Sequence, residues 1–127
     1  MTYSVSSILV GTDGSETARR AVDRAAEIAR TTGAGLTVLM AGSQAKTRPV
    51  VDAEVDRLRA DGIEARGVVA GTDPATAIVE EADAGRYDLV VVGNKGMTGA
   101  RRFFTLGSVP NKVSHHLPRN LLIVKTS

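Results

Sequence analysis

Five short apolar runs, set apart by stretches with helical periodicity, constrain the fold of this chain more than any other feature. Ser7–Gly11 (SILVG), Leu36–Ala41 (LTVLMA), Leu89–Gly93 (LVVVG) and Leu121–Val124 (LLIV) are nearly unbroken. Strands buried on both faces read this way, and a sheet covered on both sides is characteristically parallel. The fifth run, Glu64–Val69 (EARGVV), alternates instead, as a half-exposed edge strand does.

The intervening stretches have the helical period. After Ser15, a favourable N-cap, Ala18, Ala21, Val22, Ala25, Ala26, Ile28 and Ala29 fall on one face and Gly33 ends the run. Val51, Val55 and Leu58 mark a second helix, stopped by Gly62. Asp73 followed by Pro74 is a cap with proline at the first helical position, leading into Ala75, Ile78, Val79 and Ala82. Val109, Val113 and Leu117 mark a fourth helix, closed by Pro118.

The alternation β-α-β-α-β-α-β-α-β predicts an α/β fold, a doubly wound five-stranded parallel sheet with helices on both faces. Ligands of such sheets bind beyond the carboxyl ends of the strands, where the winding direction reverses. Glycine-bearing loops follow strand 1 (GTDGS) and strand 4 (GNKGMTG), so these strands are expected side by side. That placement gives the order 3-2-1-4-5, which also makes the alternating strand 3 an edge. A chain of 127 residues is expected to form one domain over 1–127, with no linker or internal repeat.

Composition removes whole classes of function. No apolar run approaches the roughly 20 residues of a membrane span. The absence of cysteine excludes a disulfide scaffold, a thiolate zinc site and thiol catalysis. The amino terminus lacks the layout of a secretory signal, so a cytoplasmic location and no membrane partner are expected. The net charge of +2 gives little general attraction to nucleic acid, and none is expected as a partner. Residues 1–93 carry 14 acidic and 10 basic side chains, a net −4, whereas residues 94–127 carry six basic and no acidic ones, +6. The basic last third is either a solvated surface or an anion site.

Gly93, Asn94, Gly96, Met97, Gly99, Gly107, Ser108 and Val109 form the strongest constellation. Glycines let backbone N–H groups approach an anion, and Gly107–Ser108 opens the fourth helix, whose amino end carries about half a positive charge. The loop therefore reads as a phosphate cradle, the alternative being a long shaped turn. After strand 1, Gly11, Thr12, Asp13, Gly14 and Ser15 form a second loop, in which Asp13 is suited either to ribose hydroxyls and magnesium (Mg2+) or to capping a turn. Leu39, Met40 and Ala41 end strand 2 and either line an apolar slot for an adenine edge or pack in the core.

Common catalytic signatures are missing. There is no GK dipeptide of a P-loop, no GxGxxG fingerprint and no GxSxG elbow. His115 and His116 are adjacent, about 100° apart on a helix, and do not make a metal site. Phe103 and Phe104 read as loop packing rather than base-stacking groups.

Together these residues resemble the universal stress protein family over essentially the whole chain. SILVGTDGSETARRAVDRAAEIA is similar to the family's first strand and helix, and VVVGNKGMTGARRFFTLGSVPNKVSHHLPRNLLIV to its last third. The resemblance implies the 3-2-1-4-5 sheet, adenine-nucleotide binding in one branch and a role in stress physiology. It implies ATP as the ligand, with AMP or cyclic AMP (cAMP) as alternatives. The branch's phosphate motif would fall on Gly93, Gly96, Gly107 and Ser108, with Asp13 near the ribose and the end of strand 2 near the adenine. Two departures stand out. Ten residues separate Gly96 from Gly107 where the motif has nine, and the connection around Gly42 to Pro49 is short. No positioned general base is visible, so a regulatory binding protein is expected rather than a dedicated enzyme. The alternatives are a non-nucleotide dimeric interaction module and a weak ATPase or phosphoryl-transfer enzyme, which would need ligands beyond Asp13. Leu121–Val124 is an apolar edge strand without blunting charges before Lys125, and a homodimer paired through it is expected.

Overall fold

The computed structural model describes residues 5–94 and 120–125. Five parallel strands, β1 (Ser7–Gly11), β2 (Gly35–Ala41), β3 (Ala65–Ala70), β4 (Leu89–Gly93) and β5 (Asn120–Val124), form one sheet in the order β3-β2-β1-β4-β5. The helices described are α1 (Glu16–Thr32), α2 (Gln44–Ala60) and α3 (Pro74–Ala84). The fourth helix expected at Val109–Leu117 lies outside the described residues, as do His115, His116, Phe103 and Phe104.

Successive residues of each central strand point to opposite faces, and the two faces carry separate cores. On one, Ile8, Val10, Val38 and Val91 pack with Ala21, Val22 and Ala25 of α1 and with Val51, Val55 and Leu58 of α2. On the other, Leu9, Leu39, Val90 and Val92 pack with Ala75, Ala77, Ile78 and Ala82 of α3. The three central strands are buried on both sides, which explains their unbroken apolar runs. Edge strands β3 and β5 are more open, and Ile123 on β5 remains 40% exposed.

Local chemistry starts and stops the helices as read from the sequence in two cases. The Ser15 hydroxyl caps α1 by accepting from Ala18 N at 3.1 Å, and Gly33 closes it in the left-handed conformation. Asp73 caps α3 by accepting from Thr76 N at 3.1 Å, with Pro74 at the first helical position. The second helix differs from the expectation. It begins at Gln44, capped by Ser43, and runs through Pro49. Pro49 has no N–H for the carbonyl of Ala45, a cost the helix bears because Thr47, Val51, Val55 and Leu58 are buried by continuing it. The β2–α2 connection is thereby reduced to Gly42 and Ser43.

Polar contacts fix how the outer layers sit. Between α1 and α2, Arg57 bonds Asp23 at 3.0 Å and also Glu54, which lies 3.5 Å from Arg19. Burial opposes the Arg57 charge, but the two carboxylates prevail and hold its pKa above the ordinary arginine value. On the α3 side, the buried Tyr87 donates its hydroxyl to Glu81 Oε2 at 2.8 Å and accepts from Arg66 Nη2 at 3.0 Å. Burial, reinforced by Glu81 and opposed by Thr37 and Arg66, pushes the Tyr87 phenol above its usual pKa.

Candidate functional site

At the carboxyl edge, the backbone ladder extends one residue beyond β1, β2 and β4. Thr12 N donates to Leu39 O at 2.9 Å, Gly42 N to Ala70 O at 2.8 Å, and Asn94 N to Val124 O at 2.9 Å. The loops that follow are thereby pinned to their neighbours. Between β1 and β4 the pairing covers only Ile8–Val10 against Leu89–Val91, while β1 continues to Gly11 and β4 to Gly93. The tips of these two strands thus do not pair with each other, although Gly11 pairs with Leu39 and Gly93 with Val124, and they part at the reversal of winding, the usual place for a ligand crevice.

The loop after β1 is tightly organised. Thr12 is buried, and its hydroxyl accepts from Gly14 N at 3.0 Å. Asp13 is half-buried and accepts from Ser15 N through Oδ1 at 2.9 Å, an Asx turn that leads into α1. Gly14 has φ +82°, and a Cβ there would meet Met40 Cε at 2.6 Å and Val50 Cγ1 at 2.8 Å. Only glycine fits both that conformation and that contact. Asp13 thus holds a turn through one oxygen.

A shallow cleft of only about 10 Å³ opens beside this loop, lined by Gly11, Thr12, Leu39, Ala41, Pro74, Ala77 and Ile78. Leu39 and Ala41 reach it because they share a strand face. Met40, one residue out of phase, is buried on the opposite face with α1 and α2, so its side chain is core. The first turn of α3 supplies the outer wall, and the cap at Asp73 sets its position. Pro74, Ala77 and Ile78 were not among the site residues expected from sequence. Their signals are those of an ordinary helix start, and only the crossover of α3 brings them over the ends of β1 and β2. Ile78 also explains Gly11, where a Cβ would lie 2.8 Å from Ile78 Cδ1.

The structure therefore gathers Gly11, Thr12, Leu39 and Ala41 around one cleft, with Asp13 and Ser15 on the adjoining loop. Gly93 ends β4, and Asn94 follows it. Gly96, Met97, Gly107, Ser108 and Val109 lie outside the described residues. Among the described residues, no group of three or more histidine, aspartate or glutamate side chains is placed to hold a metal ion. No described helix is long and apolar enough to cross a membrane.

Comparison with known proteins agrees with this geometry. The family model described as "Universal stress protein family" matches residues 5–53 and 40–125. The two matches overlap at the end of β2 and the start of α2, where the connection is short. "Universal stress protein Rv1636" of Mycobacterium tuberculosis H37Rv is 35% identical over 147 aligned residues, covering 94% of this chain and 96% of that protein. A crystal structure of a universal stress protein in complex with cAMP is 40% identical, with a TM-score of 0.77, covering 98% of this chain and 100% of that one. The universal stress protein from Archaeoglobus fulgidus in complex with dAMP is 26% identical, with a TM-score of 0.73 and the same coverage. The sheet order and these matches along nearly the whole length place the chain in the universal stress protein family.

Proposed function

We propose that this chain, as one domain over 1–127, binds an adenine nucleotide and acts as a regulatory component of stress physiology rather than as a dedicated enzyme. The observation that carries this reading is the cleft at the ends of β1 and β2, apolar along Leu39, Ala41, Pro74 and Ala77 and flanked by Thr12 and Asp13. An adenine is a flat apolar ring with a polar edge. Its faces suit walls of small side chains and its edge suits strand-end backbone, and because the cleft measures only about 10 Å³, seating the ring requires the first turn of α3 to move away from the strand ends. In this reading Asp13 uses its second carboxylate oxygen for the ribose hydroxyls or for Mg2+ beside the phosphates. The phosphates run past Gly93 and Asn94 toward Gly96, Met97, Gly107, Ser108 and Val109, where N–H groups and the start of a helix would meet them. Support comes from the relatives of this fold bound to cAMP and dAMP. ATP is the first candidate and AMP and cAMP the alternatives, in a cytoplasmic setting and in a homodimer joined through Leu121–Val124.

Calorimetric titration with ATP, AMP and cAMP tests the proposal. At least one should bind saturably, and Gly107→Val should weaken it by more than about tenfold, or ~1.4 kcal/mol, by crowding the anion. The ten residues between Gly96 and Gly107 favour a second reading, a dimeric interaction module without nucleotide. Failure of all three nucleotides to bind the folded protein would select it.

A further inference from the structure

The sheet ends in two edges, and α2 closes one of them. Leu36 N donates to Glu64 O and Gly42 N to Ala70 O, so β2 bonds the even-numbered residues of β3 and their flank at Glu64. Backbone groups of a strand alternate in direction from residue to residue, which turns the N–H and C=O of Ala65, Gly67 and Val69 toward the open side.

Two of these three outward carbonyls are occupied by side chains of α2. Arg59 Nε donates to Ala65 O at 2.9 Å, and Arg48 Nη1 donates to Gly67 O at 3.4 Å. Arg59 lies at the end of the helix and Arg48 in its first half, so the edge is held at two separate points. Arg48 is itself steadied by Gln44 Oε1 at 3.4 Å and by Asp52 Oδ1 at 3.6 Å, one turn to either side. Gly67 lets the helix come this near, because a Cβ there would run into Val51 Cγ1. The one charge that β3 carries itself, Arg66, is engaged with Tyr87 and Glu81.

We propose that Arg48 and Arg59 form a built-in block against strand addition at β3, and that the partner they exclude is a second copy of this chain. Two β3 edges meeting around a two-fold axis present the same row of backbone groups to each other, and ARGVVA is otherwise an uncharged run able to pair. Each guanidinium takes an acceptor that such a ladder needs and leaves a charge on the edge, a device by which natural sheets resist pairing. Assembly is thereby confined to other surfaces.

Light scattering of the full chain carrying both Arg48→Ala and Arg59→Ala, alongside the parent, tests this. The folded double variant should reach at least about twice the parent's mass as concentration rises. Amide hydrogen exchange should slow at Ala65, Gly67 and Val69 in the assembled variant and stay unchanged in β5. Adding Val69→Pro, which removes an outward N–H that β2 does not use, should return the mass to the parent's. Each single variant keeps one bond and should show the same rise to a smaller extent, which preserves the test if the double variant does not fold. The proposal is overturned if the folded variants keep the parent's mass at every concentration. It is equally overturned if the mass rises without slower exchange at Ala65, Gly67 and Val69.

Discussion

Asp88 and Ser6, 82 residues apart in sequence, are joined through a single carboxylate oxygen. Asp88 Oδ2 accepts from Ser6 N and Ser6 Oγ, both at 2.8 Å, and also from Ser7 N at 3.1 Å. Asp88 N in turn donates to Ser7 O at 2.8 Å. Asp88 thereby satisfies the amide groups at the start of β1 and sets its register against β4.

Asp88→Ala removes an ionised acceptor from three donors in partly exposed surroundings. Stability should fall by about 1–3 kcal/mol, and Asp88→Asn, which keeps one oxygen, should lose less. Urea unfolding of the three proteins measures this. Equal stability of Asp88→Ala and the parent would show that water replaces the carboxylate without cost.

Asp13 allows turn and ligand roles to be separated. Asp13→Asn keeps an oxygen for Ser15 N and so preserves the Asx turn, but removes the charge. Nucleotide affinity should drop by about tenfold. Thermal unfolding without ligand should shift by no more than a cap's ~1 kcal/mol. If stability falls and affinity does not, Asp13 serves the turn alone.

Tyr87 makes stability sensitive to alkaline pH. Its phenol pKa is raised in the folded protein, mainly by burial, so folding favours the protonated form. That contribution is intact below the unfolded value of about 10 and is lost as pH rises through the folded value. Tyr87→Phe should be less stable than the parent near neutrality, where the bonds to Glu81 and Arg66 are lost. The gap should narrow above about pH 10 as the parent loses its advantage. Unfolding free energies measured across that range check the sign, and a constant gap would contradict it.

Assembly through β5 gives a fourth test. Ile123 is exposed on an edge strand whose side chains from Leu121 to Val124 are all apolar. Antiparallel pairing of two such edges around a two-fold axis would satisfy both backbone rows. Light scattering at micromolar concentration should give a dimer mass, and Ile123→Pro, which removes a ladder donor, should shift it toward monomer. A monomer mass for the parent chain would refute the pairing.

Much of this architecture was legible in the residues because parallel strands buried on both faces leave a simple mark. SILVG, LTVLMA and LVVVG could hardly lie anywhere but in the sheet's centre, and EARGVV alternates because β3 is an edge. The glycine loops after β1 and β4 placed those strands together. Ser15, Gly33 and the Asp73–Pro74 pair marked helix ends through local hydrogen bonds and dihedral preferences, which act over a few residues.

Contacts between distant segments were not legible. The stretch from Gly42 to Pro49 reads as a connection ahead of the second helix, yet α2 begins at Gln44 and runs through Pro49, because burying Thr47, Val51 and Val55 outweighs one missing hydrogen bond. Leu39 and Ala41 face the cleft while Met40 belongs to the core, a division that follows from period-two alternation once one residue's direction is known. Strand order, the starts of α1 and α3 and the loop chemistry of Thr12–Ser15 were thus determined by the sequence itself, since each depends on burial pattern or near-neighbour bonding. The α3 wall of Pro74 and Ala77, the Asp88 clasp on Ser6 and the Tyr87–Arg66–Glu81 cluster were decided only by tertiary structure. Each needs two elements brought into register by packing, and no local preference encodes that register.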